Sequence, residues 1–518
     1  MKTKYVIMAA LGLVAVPAAA QETYQDTKMV QNELNGTARY VGMGGAMEAL
    51  GADISTISSN PAGIGLFRRR QINVSGGLVA QSGADTKFSY DNLLTQIDGN
   101  KTNASFDQVG FVWAQRTGNH SYLNLAFNYH KSRNFDQLLN AFGQLGGVSQ
   151  GKLSAMKYQY AKEHADDASG IWNGVDENFL NAYGTDADGH MYWNDGKSYL
   201  FGQYQKGYIG SYDFNISGNI NDRIYLGATM GFHDVNYRGN SYYVEKYVNG
   251  SYNESWEALK IDGSGFDIKV GAIFRPVESS PFRIGAYINS PVFYDLTVKG
   301  AADLTPNGDR TKDQGQASNY DFKLNTPWKF GLSLGHTVGN SLALGMTYEY
   351  SDYGSIDNRV KDGDYYDSWY GDYYETSSSD ANMNDHTKTS LKGVSTLKLG
   401  VEYKPVANFS LRAGYNYVSP IFEKNAFRDG TVASYGSAVA TSTDYTNWKS
   451  TNRLTLGLGY QAKHFSVDLA YQYTSTSGDF YPFGNEYLAY GYKETATPNA
   501  TDVKFNRHQL LVTLGYRF

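Results

Sequence analysis

The last ten residues constrain the fold most. Leu510, Val512, Leu514, Tyr516 and Phe518 alternate with Gln509, Leu511, Thr513, Gly515 and Arg517, so a strand here has one apolar face and one mostly small or polar face. The same two-residue period runs through residues 465–474, 454–461 and 342–351. These runs exceed the length usual in soluble sandwiches and carry tyrosines near their ends. They suit a transmembrane strand, which needs about nine to eleven residues with only every second one apolar.

About fourteen such strands can be read, starting near residues 69, 106, 120, 204, 222, 258, 282, 319, 340, 390, 408, 448, 464 and 503. Short links alternate with long ones, the longest being 134–203 and 352–388. The expected fold is all-β: a transmembrane antiparallel β-barrel with short periplasmic turns, long extracellular loops and, from the even count, both termini in the periplasm. Beyond the first twenty residues no run of about 18 apolar residues exists, which excludes helical spans. The 44 Tyr and 56 Gly against 11 Pro and no Cys fit strands meeting headgroups and water, without disulfides.

Residues 1–20 read as a secretory signal: Lys2 and Lys4, an apolar stretch, then Ala18-Ala19-Ala20. Cleavage removes both lysines and takes the net charge from −6 to −8, which argues against nucleic acid as a partner. A terminal aromatic such as Phe518 is typical of outer-membrane barrels and is the expected contact for the barrel assembly machinery. Outer-membrane lipid and lipopolysaccharide are the other expected neighbours.

Residues 36–67 differ from everything after them. They are neutral, rich in Gly and Ala, and keep neither period. Gly42, Gly44, Gly45 and Gly51 allow tight turns and close backbone approach, and Asn60-Pro61-Ala62-Gly63 is strong turn punctuation. Such a segment is too small-sided to build its own core and needs walls from elsewhere. The expected organisation is therefore a plug, or hatch, over 21–67 inside a barrel over 68–518.

This stretch resembles the N-terminal hatch of the FadL-like outer-membrane long-chain fatty-acid transporters, where a small-residue segment with Asn-Pro-Ala precedes the first strand. Residues 326–356, 452–473 and Ile288-Asn289-Ser290-Pro291-Val292 are similar to later strands of that family. The resemblance implies passive transport of hydrophobic compounds, long-chain fatty acids foremost, with Gly42, Gly44, Gly45, Asn60, Pro61 and Ala62 forming the gate. It also implies that an extracellular loop makes first contact with the ligand. In 134–203, Leu138, Leu139, Phe142 and Leu145, followed by Leu153, Met156 and Tyr160, have helix-like spacing, and Trp172 and Phe179 extend the apolar content.

Charges on the polar parity of the strands include Asp267, Lys269, Glu349, Lys398, Glu402, Arg412 and Asp468. They read as cross-strand ion pairs anchoring the plug; alternatively Arg412 or Lys398 receives a carboxylate head group. The Asp- and Tyr-rich stretch 352–385 reads as solvated loop, since it lacks a calcium-loop pattern. No HExxH, GxSxG or P-loop occurs, so the reading is a non-enzyme without cofactor or metal. The alternative is a surface-binding or structural barrel with a permanently closed plug.

Overall fold

The computed structural model describes residues 23–153, 194–308, 314–369, 371–429, 432, 444–484 and 498–518. The signal segment lies outside them, as do Met156, Tyr160, Trp172 and Phe179.

Fourteen antiparallel staves close into a barrel. The first six are Gln71–Ser82, Thr102–Arg116, Tyr122–Asn134, Gly196–Ile220, Ile224–Tyr247 and Tyr252–Phe274. The next four are interrupted: Arg283–Asn289 with Phe293–Pro306, Gln314–Asn325 with Lys329–Val338, Leu342–Asp352 with Asp357–Asp367, and Asp372–Ser379 with Gly393–Val406. The last four are Phe409–Val418, Tyr445–Gln461, Phe465–Tyr481 and Thr501–Arg517. Gln71–Ser82 pairs with both Thr102–Arg116 and Thr501–Arg517, from Gln71↔Arg517 to Ser82↔Asn506, which closes the ring and leaves no edge at this level.

The faces are the inverse of a soluble protein's. Leu514 is 58% exposed on the outside while Leu511 is fully buried inside, flanked by buried Gln509 and Thr513. This requires an apolar medium around the wall. On Ile224–Tyr247 the outward residues are Leu226, Met230 and Phe232, then Asp234 and Arg238. The apolar band is thus about nine residues tall, and the rest of this 24-residue strand stands beyond it. The short turns lie at the band's near end; one is built by Asn221 and Asp222 at φ of 53° and 52°, positions these residues tolerate.

Two loop expectations change. Residues 137–144 form a strand, not a helix, paired from Gln137↔Gln205 to Gln144↔Ser198. The helix-like spacing arose because both faces of this strand meet apolar neighbours: Leu138 packs with Ala84 and Ile97, and Leu139 with Tyr199 and Phe201. Residues 352–388 are largely exposed, as expected, but form the upper part of two staves plus the helix Ala381–Ser390 rather than a loop. Alternation there places Tyr366 opposite Tyr373, ring centroids 4.9 Å apart.

The four interruptions share one height. Asn289 pairs with Lys269 and thence with Thr229, while Phe293 pairs with Phe266 and thence with Phe232, at the far edge of the apolar band. Breaks at 290–292, 326–328, 353–356 and 380–392 therefore form a seam across neighbouring staves. Pro291 and Pro327 sit in it and offer no backbone donor. Above the seam, among the described residues, Asp372–Ser379 pairs on one side only, with Asp357–Asp367. Helix Ala381–Ser390, residues 419–428 and the N-terminal helix α1 (Thr23–Val30) come together on this flank: Thr23 Oγ1 lies 2.8 Å from His386 Nδ1 and 3.0 Å from Thr387 Oγ1, and Tyr24 stacks on Phe422 at 4.8 Å.

Candidate functional site

The lumen holds residues 23–67 in two parts. The lower part runs through helix α2 (Ala38–Gly42) and the 3₁₀ turns Ile54–Ser58 and Pro61–Leu66. With few large side chains, its backbone lies directly against the wall, and the wall answers with glycines. A Cβ on Gly345 would stand 1.9 Å from Ala46 O, on Gly400 2.3 Å from Met43 O, on Gly414 2.2 Å from Gly44 N and on Gly271 2.1 Å from Asn60 Oδ1. These are inward positions on four separate strands, so the glycines form a landing surface for the plug.

The gate residues read from sequence all sit at this contact. Gly44 has φ +63°, and a Cβ there would lie 2.8 Å from both Leu399 O and Tyr415 N. Gly45 has φ +78°, and Gly42 faces the Gly457 backbone. Asn60 caps the turn Pro61–Leu66: Ala62 N donates to its Oδ1 (3.2 Å) while its Nδ2 donates to Glu48 O (3.1 Å). Pro61 O accepts from Ser217 Oγ (2.8 Å), and Ala62 is buried with Tyr225 and Ile273.

Three charge clusters rivet the lower plug. Arg39 reaches Glu402 at 3.0 Å, and Arg412 joins Glu402 (2.6 Å) to Asp468 (2.7 Å). Lys398 lies between Glu48 of the plug (2.8 Å) and Glu349 of the wall (2.9 Å); Thr347 and Tyr40 donate to Glu48, and Tyr287 donates to Glu349. Burial, with Glu48 beside it, pushes the Tyr40 phenol well above its ordinary range, so it remains a donor. Ser58 donates to Asp213, which Lys269 joins to Asp267. Arg412 and Lys398 thus each hold two carboxylates already.

Between this lower part and α1 lies a cavity of about 310 Å³, at the small end of ligand pockets. Its lining is mixed: the apolar and aromatic Tyr24, Val292, Tyr294, Tyr353, Phe422 and Trp448 stand among polar residues such as Gln25, Gln203, Gln205 and Lys449. It also carries the cations Lys269, Lys329, Lys398, Arg453 and Arg507. Seam residues 290, 292, 326, 327 and 353, with the bordering strand residues 351 and 394, belong to its side wall.

Of the ligand residues read from sequence, Leu139 and Lys398 line this cavity. Leu138 and Leu145 are buried in separate clusters higher up, Phe142 is 45% exposed and stacks on Tyr90, and Trp172 and Phe179 lie outside the described residues. Sequence reading missed α1, whose eight residues give too short a pattern, and the wall glycines, whose recurrence on the inward parity was the available signal. Among the described residues no cluster of His, Asp and Glu is arranged to hold a metal.

Closed wall, apolar outer band and occupied lumen together define a plugged transmembrane β-barrel. No described protein family and no curated protein matches the chain. Among solved structures it is similar to a Pseudomonas aeruginosa FadL homologue and to the CymD monoaromatic hydrocarbon channel, each at TM-score 0.49 and 12% identity over 94% of this chain and 99% of theirs. It is also similar to the Ralstonia pickettii toluene transporter TbuX, at 0.48 and 13% over the same shares.

Proposed function

We propose that this protein is an outer-membrane channel for the passive passage of hydrophobic compounds, long-chain fatty acids foremost, with both termini in the periplasm. The observation that carries this reading is the cavity roofed by α1, part of whose mixed lining belongs to a buried apolar and aromatic cluster shared by α1 and the wall. An apolar solute is opposed by the charged outer surface and by any water-filled pore, and a cavity with apolar walls to bury it inside the barrel answers both. Each methylene removed from water contributes about 0.8 kcal/mol, so a chain can bind here by displacing α1 from contacts of the same kind.

The way out is sideways. The lower plug is held by ion pairs and backbone contact, whereas the seam gives the cavity a wall without continuous strand pairing at the edge of the apolar band. No energy-coupling motif is needed for a solute moving down its gradient into lipid. Cells with and without the gene, given a labelled long-chain fatty acid, test the reading: faster uptake with the gene is expected, and equal uptake contradicts it.

A second reading, a surface-binding barrel with a closed plug, is favoured by the hairpin Asp357–Ser379. It presents Trp369 at 86% exposure with Tyr365, Tyr366, Tyr373 and Tyr374 also exposed. Under that reading uptake is gene-independent while deletion of 362–376 abolishes attachment of whole cells to a glycan surface.

A further inference from the structure

We infer that the outer face of the barrel carries a docking row for a phosphorylated glycolipid of the surrounding leaflet, gripped by its sugar-borne phosphates rather than by those next to its acyl chains. The orientation rests on the reading above, which puts the short turns in the periplasm.

The row is set by strand register. Lys206 on Gly196–Ile220 pairs with Arg238 on Ile224–Tyr247, Arg238 pairs with Lys260 on Tyr252–Phe274, and Lys260 pairs with Lys299 on Phe293–Pro306. Four neighbouring strands thus present a cation at one register level. These residues share the parity of the lipid-facing Phe214, Phe232, Ile268 and Phe293, while the alternate residues Gln205, Tyr237, Ile261 and Val298 are buried inside. The four side chains therefore lie on the outside of the wall.

Like charges facing one another across strands are destabilising, and here three such pairs follow in succession. The chain does little to relieve them. Lys260 reaches Asp262, Lys206 lies over the Tyr204 ring at 6.0 Å, and Arg238 and Lys299 have no ion pair or hydrogen bond among the described residues. Nearer the apolar band the same wall is neutralised: Lys361 is held by Asp295 and Glu375, and Lys323 by Glu375. An external polyanion relieves the unpaired row by making charge-assisted hydrogen bonds to several members at once.

Height selects the polyanion. Arg238 stands six residues beyond Phe232, where the apolar band of its strand ends, which is roughly 20 Å along the strand. Between the band and the row lie the outward Asp234, Asp262, Asp295 and Asp321. A phosphate at the junction with the acyl chains, as in a common phospholipid, meets these carboxylates. A phosphate on a sugar farther out meets the cations. Lipopolysaccharide has this build, with acyl chains to lie on the band and phosphorylated inner sugars to reach the row.

The test uses the detergent-solubilised full chain and three probes, titrated by native mass spectrometry: deep-rough lipopolysaccharide with phosphorylated inner sugars, lipid A freed of those sugars, and phosphatidylglycerol. The parent is expected to bind the lipopolysaccharide more tightly than either other lipid. Arg238→Gln combined with Lys299→Gln is expected to weaken that binding about tenfold, two exposed charge contacts each at the upper end of their usual range, and to leave the other two lipids unaffected. Lys299→Arg should keep the parent's affinity, as should Lys463→Gln at the opposite end of the barrel. Heat-modifiable gel migration equal to the parent's keeps misfolding out of the comparison. Unchanged lipopolysaccharide affinity in the double variant overturns the inference, as does parent binding of lipid A or phosphatidylglycerol equal to that of the complete glycolipid. Trp369→Cys on intact cells should react with an impermeant maleimide; no reaction removes the orientation and the row's partner with it. Fatty-acid uptake that does not depend on the gene would remove the transport reading and leave the row standing.

Discussion

The two ends of the luminal segment are held by different chemistry. Around 38–62 the plug is fixed by charges and by backbone lying on wall glycines, contacts a hydrophobic solute cannot imitate. Around 23–30 it is held by stacking of Tyr24 on Phe422, a tilted contact of Tyr24 with Tyr445, burial of Met29 and Val30, and hydrogen bonds of Thr23, of Tyr24 to Asn447 and of Asn358 to Asp26. Those apolar contacts are ones a hydrocarbon chain can replace at little net cost. On the proposed reading the difference lets one plug be permanent and exchangeable at once, closing the pore to ions below while admitting solute above.

The contrast can be broken most severely at the glycine surface. Gly414→Leu or Gly44→Trp puts bulk where backbone atoms stand 2.2 and 2.8 Å from a Cβ, and overpacking of even modest size costs about 1–3 kcal/mol. The lower plug is expected to leave its seat: planar bilayers should register ion leak, while insertion stays normal because the closed strand ladder is untouched. Next comes Lys398→Met, which leaves Glu48 and Glu349 buried without their cation, a loss of about 3–5 kcal/mol. It should appear as protease cleavage within 36–67 at denaturant concentrations the parent resists. Asn60→Ala removes one cap and is expected to cost about 1 kcal/mol in the same assay.

Smallest in stability is Tyr24→Ala. Barrel melting is expected to stay unchanged, but α1 should become accessible to labelling and fatty-acid uptake per surface-exposed molecule should rise. A shift of the whole barrel's melting would mean that the upper contacts are structural like the lower ones.

The wall was legible because lipid enforces a strict rule: every second residue outward and apolar, as at Leu510, Val512 and Leu514, with nothing local able to override it. The plug was legible by the opposite sign, loss of all period over 36–67. Gly44 and Asn60 were found because turn chemistry is local. Lys398 was visible as an inward charge, but its plug partner Glu48 lies 350 positions away in sequence, so nothing local indicated that it was already occupied, whereas Arg412 faces its partner Glu402 directly across the sheet. Residues 137–144 were misread because apolar residues on both faces of a buried strand mimic a helical spacing.

The central claim is that α1 must move for solute to pass. Thr23 Oγ1 and Thr387 Oγ1 lie 3.0 Å apart and the chain has no cysteine, so Thr23→Cys with Thr387→Cys can tether α1 to helix Ala381–Ser390 in a background free of other thiols. Uptake of a labelled long-chain fatty acid is measured in cells with the pair oxidised and again after reduction. The account predicts uptake at the level of cells lacking the gene when tethered, and recovery to that of either single variant on reduction. Full uptake through the tethered protein would contradict it.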